Sequence, residues 1–253
     1  MTPDIQKASL TKRMAAALLD LILLAILVTG LATLLANMFG YDKQVTQINA
    51  SREQYETQYG VDFQITQEQY DALTQQQREN YDAAVEALVQ DEVFLYAYNM
   101  QISLTLLIVT LSFLGSVLIV EFAVPLWLKN GQTVGKKVFG IGLMRTDGVQ
   151  LGVMQLFIRA LLGKFTVELM IPTYIMIMIY FNTANIISLA ILAALLLGQI
   201  ITLAATRTNA LLHDLLAGSV AVDLSSQRIF RTKEDLMEYT KKIHAERANR
   251  SER

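Results

Sequence analysis

The chain has 253 residues, just over half of them hydrophobic and 17% charged, with a formal net charge of −2. Mean hydropathy is positive, and the charged share is well below the roughly 25% of a soluble domain. Without cysteine there is no disulfide, thiol catalysis or thiolate metal site, and two histidines, His213 and His244, leave little for a zinc or haem site.

The first apolar run, Met14–Phe39, exceeds the roughly 20 residues that cross a bilayer. It is also longer than a signal-peptide core, and no A-x-A-like cleavage site follows it, so it is expected to be a retained helix. Arg13 stands at its mouth and Asp20 lies inside it. An aspartate at that depth costs roughly 2.5–3.5 kcal/mol on insertion and needs a partner or a purpose.

Residues Gly40–Tyr98 read as a helical hairpin. Val45, Ile48, Arg52, Tyr55 and Tyr59 recur at alternating three and four residues, which marks one helix face. After Gly60–Ile65, Thr66 with Gln69 makes a capping-box start. Tyr70, Leu73, Tyr81, Ala84 and Leu88 then share one side of a helix running on into the second span, Asn99–Leu128. A hairpin of this size has a thin core and leans on the bilayer or on a partner. The tyrosines Tyr55, Tyr59, Tyr70 and Tyr81 form either a partner-facing stripe or the hairpin's own core.

Pro125 lies near the end of span two, with Trp127 and Lys129 as interface anchors. Residues 129–160 begin with an interfacial turn and a short strand, Val138–Arg145, closed by a Thr-Asp-Gly turn. Val153–Lys164 has the pattern of an amphipathic helix lying on the membrane. Leu161–Phe181 and Asn185–Thr206 are spans three and four, joined closely enough to form an antiparallel hairpin. In the 207–253 tail, Val220, Val222 and Leu224 alternate and are expected to pair with the first strand. A basic helix starts at Thr232, with Asp235 in its cap.

The expected fold is an all-α membrane protein: four transmembrane helices (1–39 with the tail before it, 99–128, and the pair in 161–206), an extracytoplasmic helical hairpin (40–98) and a small cytoplasmic strand pair. Lysine and arginine cluster in the amino-terminal tail, the loop after span two and the carboxyl tail. Gly40–Tyr98 holds only Lys43, Arg52 and Arg78 against eleven acidic residues. Both termini are therefore expected in the cytoplasm.

Helix geometry places Asp20 about 10 Å beyond Arg13. Glu121 lies eight residues before Lys129, and Glu168 four beyond Lys164, so the three carboxylates are expected in one half of the membrane as a candidate ion or proton site. Arg13, Arg159, Lys164, Arg207, His213 and Asp214 form the supporting charge network. Asp20, Glu121, Glu168 and Asp214 face Arg13, Arg159, Lys164 and Arg207, four against four, a set that can satisfy itself. Asp214 is expected to pin a turn against Arg207 or Lys136. Pro172 frees the Glu168 carbonyl, which is either a cation ligand or part of a simple kink.

The stretch GQTVGKK differs from a phosphate-binding loop. It has one residue too few between the glycines and lacks the Ser or Thr after lysine. Lys136 and Lys137 are expected instead at anionic lipid headgroups, at about 1 kcal/mol each. Acidic residues interleave with the basic ones in the terminal helix, which argues against nucleic acid. No nucleophile–base–acid set points to an enzyme, and no cofactor or metal is implied.

KRMAAALLDLILL, GQTVGKKVFGIGLMRTDG with Arg159 beyond it, and TNALLHDLLAGSVAV together resemble the RDD family of bacterial integral membrane proteins over about Ala8–Asp223. Arg13, Asp20 and Asp214 match its arginine and two aspartates. The long 40–98 insertion and Ser219, where threonine is commoner, depart from its pattern. The resemblance implies a bacterial inner-membrane location and, as proposed for some members, exchange of a monovalent cation against protons, here by an oligomer. A scaffold or accessory subunit that binds an envelope partner through the hairpin is the alternative.

Overall fold

The computed structural model describes residues 5–128, 130–168, 171, 174–175, 178–179, 183–206 and 210–251, with side chains given except at 167–168 and 247–251. The chain divides into two compact units, 28–113 and the remainder. Among the described residues three helices are long and apolar enough to cross a membrane: Leu10–Phe39, Glu92–Leu128 and Ile186–Ala205. The span expected at Leu161–Phe181 falls partly on residues outside that set, 169–170, 172–173, 176–177 and 180–181, which include Pro172, and Lys129 is outside it too. Large apolar side chains stand exposed along all three helices, among them Leu18, Ile22, Leu106, Ile187 and Leu197, as lipid contact requires.

In the 28–113 unit, α1 (Leu10–Phe39) ends at Gly40, whose φ of +66° turns the chain into α2 (Tyr41–Tyr59). Gly60, also left-handed, caps α2 by donating to the Glu56 carbonyl. The expected second helix is broken in two. The capping box of Thr66 and Gln69 starts α3 (Gln67–Asp71), and a second box of Thr74 and Gln77 starts α4 (Gln75–Gln90). Helix α5 (Glu92–Leu118) follows directly. Ile48, Leu88, Phe94 and Ala97 form the hairpin core, with Tyr55 and Phe63 against it. The tyrosines turn towards one another: Tyr55 stacks on Tyr59, and Tyr81 meets the edges of Tyr70 and Phe63.

The other unit is built round a ribbon. Strand β1 (Ile141–Arg145) pairs antiparallel with β2 (Ser219–Asp223), Leu143 opposite Ala221. β1 begins later than the alternation suggested because a short helix takes up Val134–Val138 and Gly140, at φ +66°, turns the chain out of it. A two-stranded ribbon is marginal alone. Here Ala8 donates to the Ala221 carbonyl and Asp223 to that of Gln6, laying the amino-terminal segment along β2. Ile141, Leu143, Met144, Val220 and Val222 are buried at 1% exposure or less.

Two stretches depart from α-helix. Beyond α5 the chain passes through π-helical turns, Ile119–Ala123, before α6 (Val124–Leu128). Val124 donates to the carbonyl of Ile119, five residues back, just before Pro125, which has no N–H to give to Glu121. After α7 (Val134–Val138) comes α8 (Val153–Ile158), and Arg159–Glu168 is again π-helical. The amphipathic helix expected over Val153–Lys164 is therefore α-helical only in its first half. Helices α9 (Ile186–Ala205), α10 (Leu212–Leu216) and α11 (Lys233–Ser251) complete the chain, the last opened by reciprocal Thr232–Asp235 hydrogen bonds.

A buried charge network as the candidate functional site

Asp20 is 4% exposed on α1. Its two oxygens accept from the Thr133 hydroxyl at 2.5 Å and from the Gly135 N–H at 2.8 Å. Thr133 is the N-cap of α7, its Oγ1 accepting from the Lys136 N–H, so the carboxylate seals a helix start whose donors would otherwise be orphaned. This contact requires a glycine at 135. A Cβ there would lie 2.2 Å from the Ala16 carbonyl oxygen and 2.9 Å from the Asp20 carboxyl carbon. The adjacent Gln132 amide donates to the Ile141 carbonyl, tying the loop to β1.

Lys136, expected at the surface among lipid headgroups, is instead buried at 9% exposure. The close packing of Gly135 on α1 turns the next side chain inward. Its Nζ donates to Thr133 at 3.1 Å and lies 3.8 Å from both Asp20 and Glu121. Burial pushes the ammonium down to about 8, against the pull of Glu121. Lys137 is exposed, as expected.

Glu121 sits in the π-helical turns of the second span, 5% exposed. It accepts from Lys164 at 2.5 Å and from Arg159 at 3.4 Å. The i→i+5 hydrogen bonding of a π-helix stacks residues five apart, whereas the 3.6-residue turn of an α-helix sets them well apart. Arg159 and Lys164 are five apart, and both reach the one carboxylate.

Arg159 also donates through Nε to Asp214 at 3.1 Å, and its Nη2 meets His213 Nε2 at 2.8 Å. A guanidinium only donates, so Nε2 is the acceptor in that contact. Asp214 takes a further bond from Arg13 at 3.3 Å and one from Ser219 at 3.0 Å. Burial raises its carboxyl, but the facing His213, Arg159 and Arg13 outweigh this and hold it below the usual carboxylate range. Gly163 makes the approach possible, since a Cβ there would fall 2.3 Å from that of His213.

Arg13 and Asp20, seven residues apart on one helix, thus go to different partners: Arg13 to α10, Asp20 to α7. The expected convergence of Asp20 and Glu121 is present, bridged by Lys136, and Asp214 joins through Arg159. Of the two partners expected for Asp214, Lys136 turns instead to Asp20 and Glu121, and among the described residues Arg159 and Arg13 donate to Asp214. Arg207 and the side chain of Glu168 lie outside the described residues. Sequence reasoning missed Thr133 and Gly135 as partners of Asp20. Their signal was the Thr-x-Gly-Lys spacing itself, a cap followed by a side-chain-free position.

A cavity of about 300 Å³ opens beside the network, touching Arg13, Asp20, Lys136, Arg159, Lys164 and Asp214. Among the described residues no group of three or more metal-ligating side chains occurs. Neither a curated protein nor a solved structure matches the chain. The RDD family model matches residues 7–218, a range that includes Arg13, Asp20, the Thr133–Lys136 turn, Arg159 and Asp214. The match takes in well over half of the 253 residues, and the chain belongs to the RDD family.

Proposed function

We propose that this RDD-family membrane protein is a non-transporting scaffold or accessory subunit: four spans in the bacterial inner membrane, both termini cytoplasmic, with the 40–98 hairpin outside docking an envelope partner. One observation carries the reading. Asp20, Glu121 and Asp214 each already accept from protein donors, and a carboxylate so engaged has little left for a passing cation. Such a network locks helices together, because removing one member strands a buried charge at a cost of about 3–5 kcal/mol.

A line of exposed apolar side chains supports docking: Val85, Val89, Val93 and Tyr96, spaced four, four and three along α4 and the start of α5. With the tyrosine stripe turned inward, this line is the better candidate for a partner helix. Deleting Gln44–Glu92, or placing Val89→Asp in the line, is expected to lose a co-purifying membrane partner while the remaining bundle melts normally. Retention of the same partner by both variants would reject the docking role.

The second reading is exchange of a monovalent cation against protons by an oligomer, with Asp20, Glu121 and Glu168 as ligands. The cavity reaching Asp20 favours it. Proteoliposomes challenged with Na⁺, Li⁺ and K⁺ separate the two. Proton flux that vanishes in a folded Asp20→Asn variant establishes transport, and no flux from well-reconstituted wild type leaves the scaffold.

A further inference from the structure

The cavity beside the network has a mixed lining. Leu10, Met14, Leu203 and Leu211 contribute apolar side chains, and Leu10 and Met14 are more than half exposed. They lie near the beginning of one apolar span and the end of another, where lipid chains run. Arg13, Lys136, Arg159 and Lys164 line the same cavity. Among the described residues four cations thus line the cavity against two carboxylates, Asp20 and Asp214, while Glu121 is not part of its wall.

Lys136 is the buried donor in this lining. An ammonium has three protons to donate. Among the described residues only the Thr133 hydroxyl lies within hydrogen-bond distance of it, and both carboxylates stand at 3.8 Å. A buried ammonium whose two carboxylates stand at 3.8 Å still has protons to donate, and in a cavity lined also by apolar side chains they suit a further anionic oxygen.

The geometry points to a binding site for an amphiphilic phosphate ester, with the phosphate at Lys136 and the first methylenes of its chain against Met14, Leu203 and Leu211. About 300 Å³ is at the small end of ligand pockets. It holds a headgroup phosphate and the root of a chain, with the remainder outside among the lipids. The chemistry is shared by anionic phospholipids and by soluble phosphate esters, and the open apolar rim favours the lipid. This site stands whether the protein scaffolds or transports, because it uses the Lys136 protons that Thr133 does not take.

The test is thermal melting of the full-length protein in neutral detergent, titrated with dioleoyl phosphatidylglycerol, dioleoyl phosphatidylcholine or sodium phosphate. Phosphatidylglycerol is expected to raise the melting temperature saturably, as a ligand of the folded state does, with little response to phosphatidylcholine. Lys136→Gln is expected to weaken the response at least tenfold. Leu203→Trp, which fills the cavity and leaves every charged side chain in place, is expected to do the same. The exposed neighbour variant Lys137→Gln is expected to stay within twofold of wild type. Stabilisation by sodium phosphate as strong as by the lipid would overturn the amphiphile and leave a soluble phosphate site. Equal responses to the two lipids, or a phosphatidylglycerol response that survives Leu203→Trp, would overturn the site itself.

Discussion

Gly135 is the residue on which the network's assembly turns. The backbone of α7 touches α1 there, and the nearest obstacle to a side chain is a main-chain carbonyl, at 2.2 Å from an ideal Cβ. Gly135→Ala is therefore expected to push α7 off α1 and lengthen both bonds to Asp20, costing about 1–3 kcal/mol as overpacking does. A melting temperature unchanged from wild type would show that α7 moves freely. Lys136 supplies the pH dependence. Its folded value, about 8, lies below its ordinary 10.5. Between the two the unfolded chain holds a proton that the folded chain has released, so stability rises with pH across that window. Below 8 the cost of the buried charge is felt in full. Melting curves of wild type and Lys136→Met between pH 7.5 and 10 are expected to show wild type gaining on the variant as pH rises. A constant difference would mean that the lysine titrates normally. The charged residue types of this network were legible in the sequence, because a charge inside an apolar run is conspicuous. Their pairing was not. Arg13 and Asp20 share a helix face, yet Asp20 is held by residues 113 and 115 positions away and Arg13 by one 201 away.

At the scale of elements, local chemistry carried the 40–98 hairpin well. Thr66–Gln69 was readable as a helix start because a capping box is a contact within four residues. The second box, Thr74–Gln77, follows the same rule. It was hidden inside an apolar pattern that α3 and α4 continue across their break. Thr74→Ala is expected to cost about 1 kcal/mol, read as faster amide exchange over the first turn of α4, and unaltered exchange there would refute the cap. The π-helical segments lay beyond reach. Apolar periodicity near Glu121 and Arg159 fits an α-helix about as well, and the extra residue per turn is adopted because it aims side chains at partners in other elements. Asp20 and Glu121, each reckoned from a nearby span end, both come to 3.8 Å from Lys136.

For the whole molecule, the chain separates into two units that each contain their own buried cluster, Ile48 with Leu88 and Phe94 in one, Ile141 with Leu143 and Leu151 in the other. This is why removal of Gln44–Glu92 is a fair test of function rather than of folding: the ribbon and the charge network draw on none of those residues. Composition, span length, caps and strand alternation were determined by the sequence alone, because each depends on solvent preference or on contacts within a few residues. Which cation meets which carboxylate, the inward turn of Lys136 and the cavity beside it were decided only by tertiary structure. A charge pair weakens within a few ångströms, and separations that fine are set by helix–helix contacts, such as Gly135 on Ala16 and Gly163 on His213, between residues that are remote in the chain.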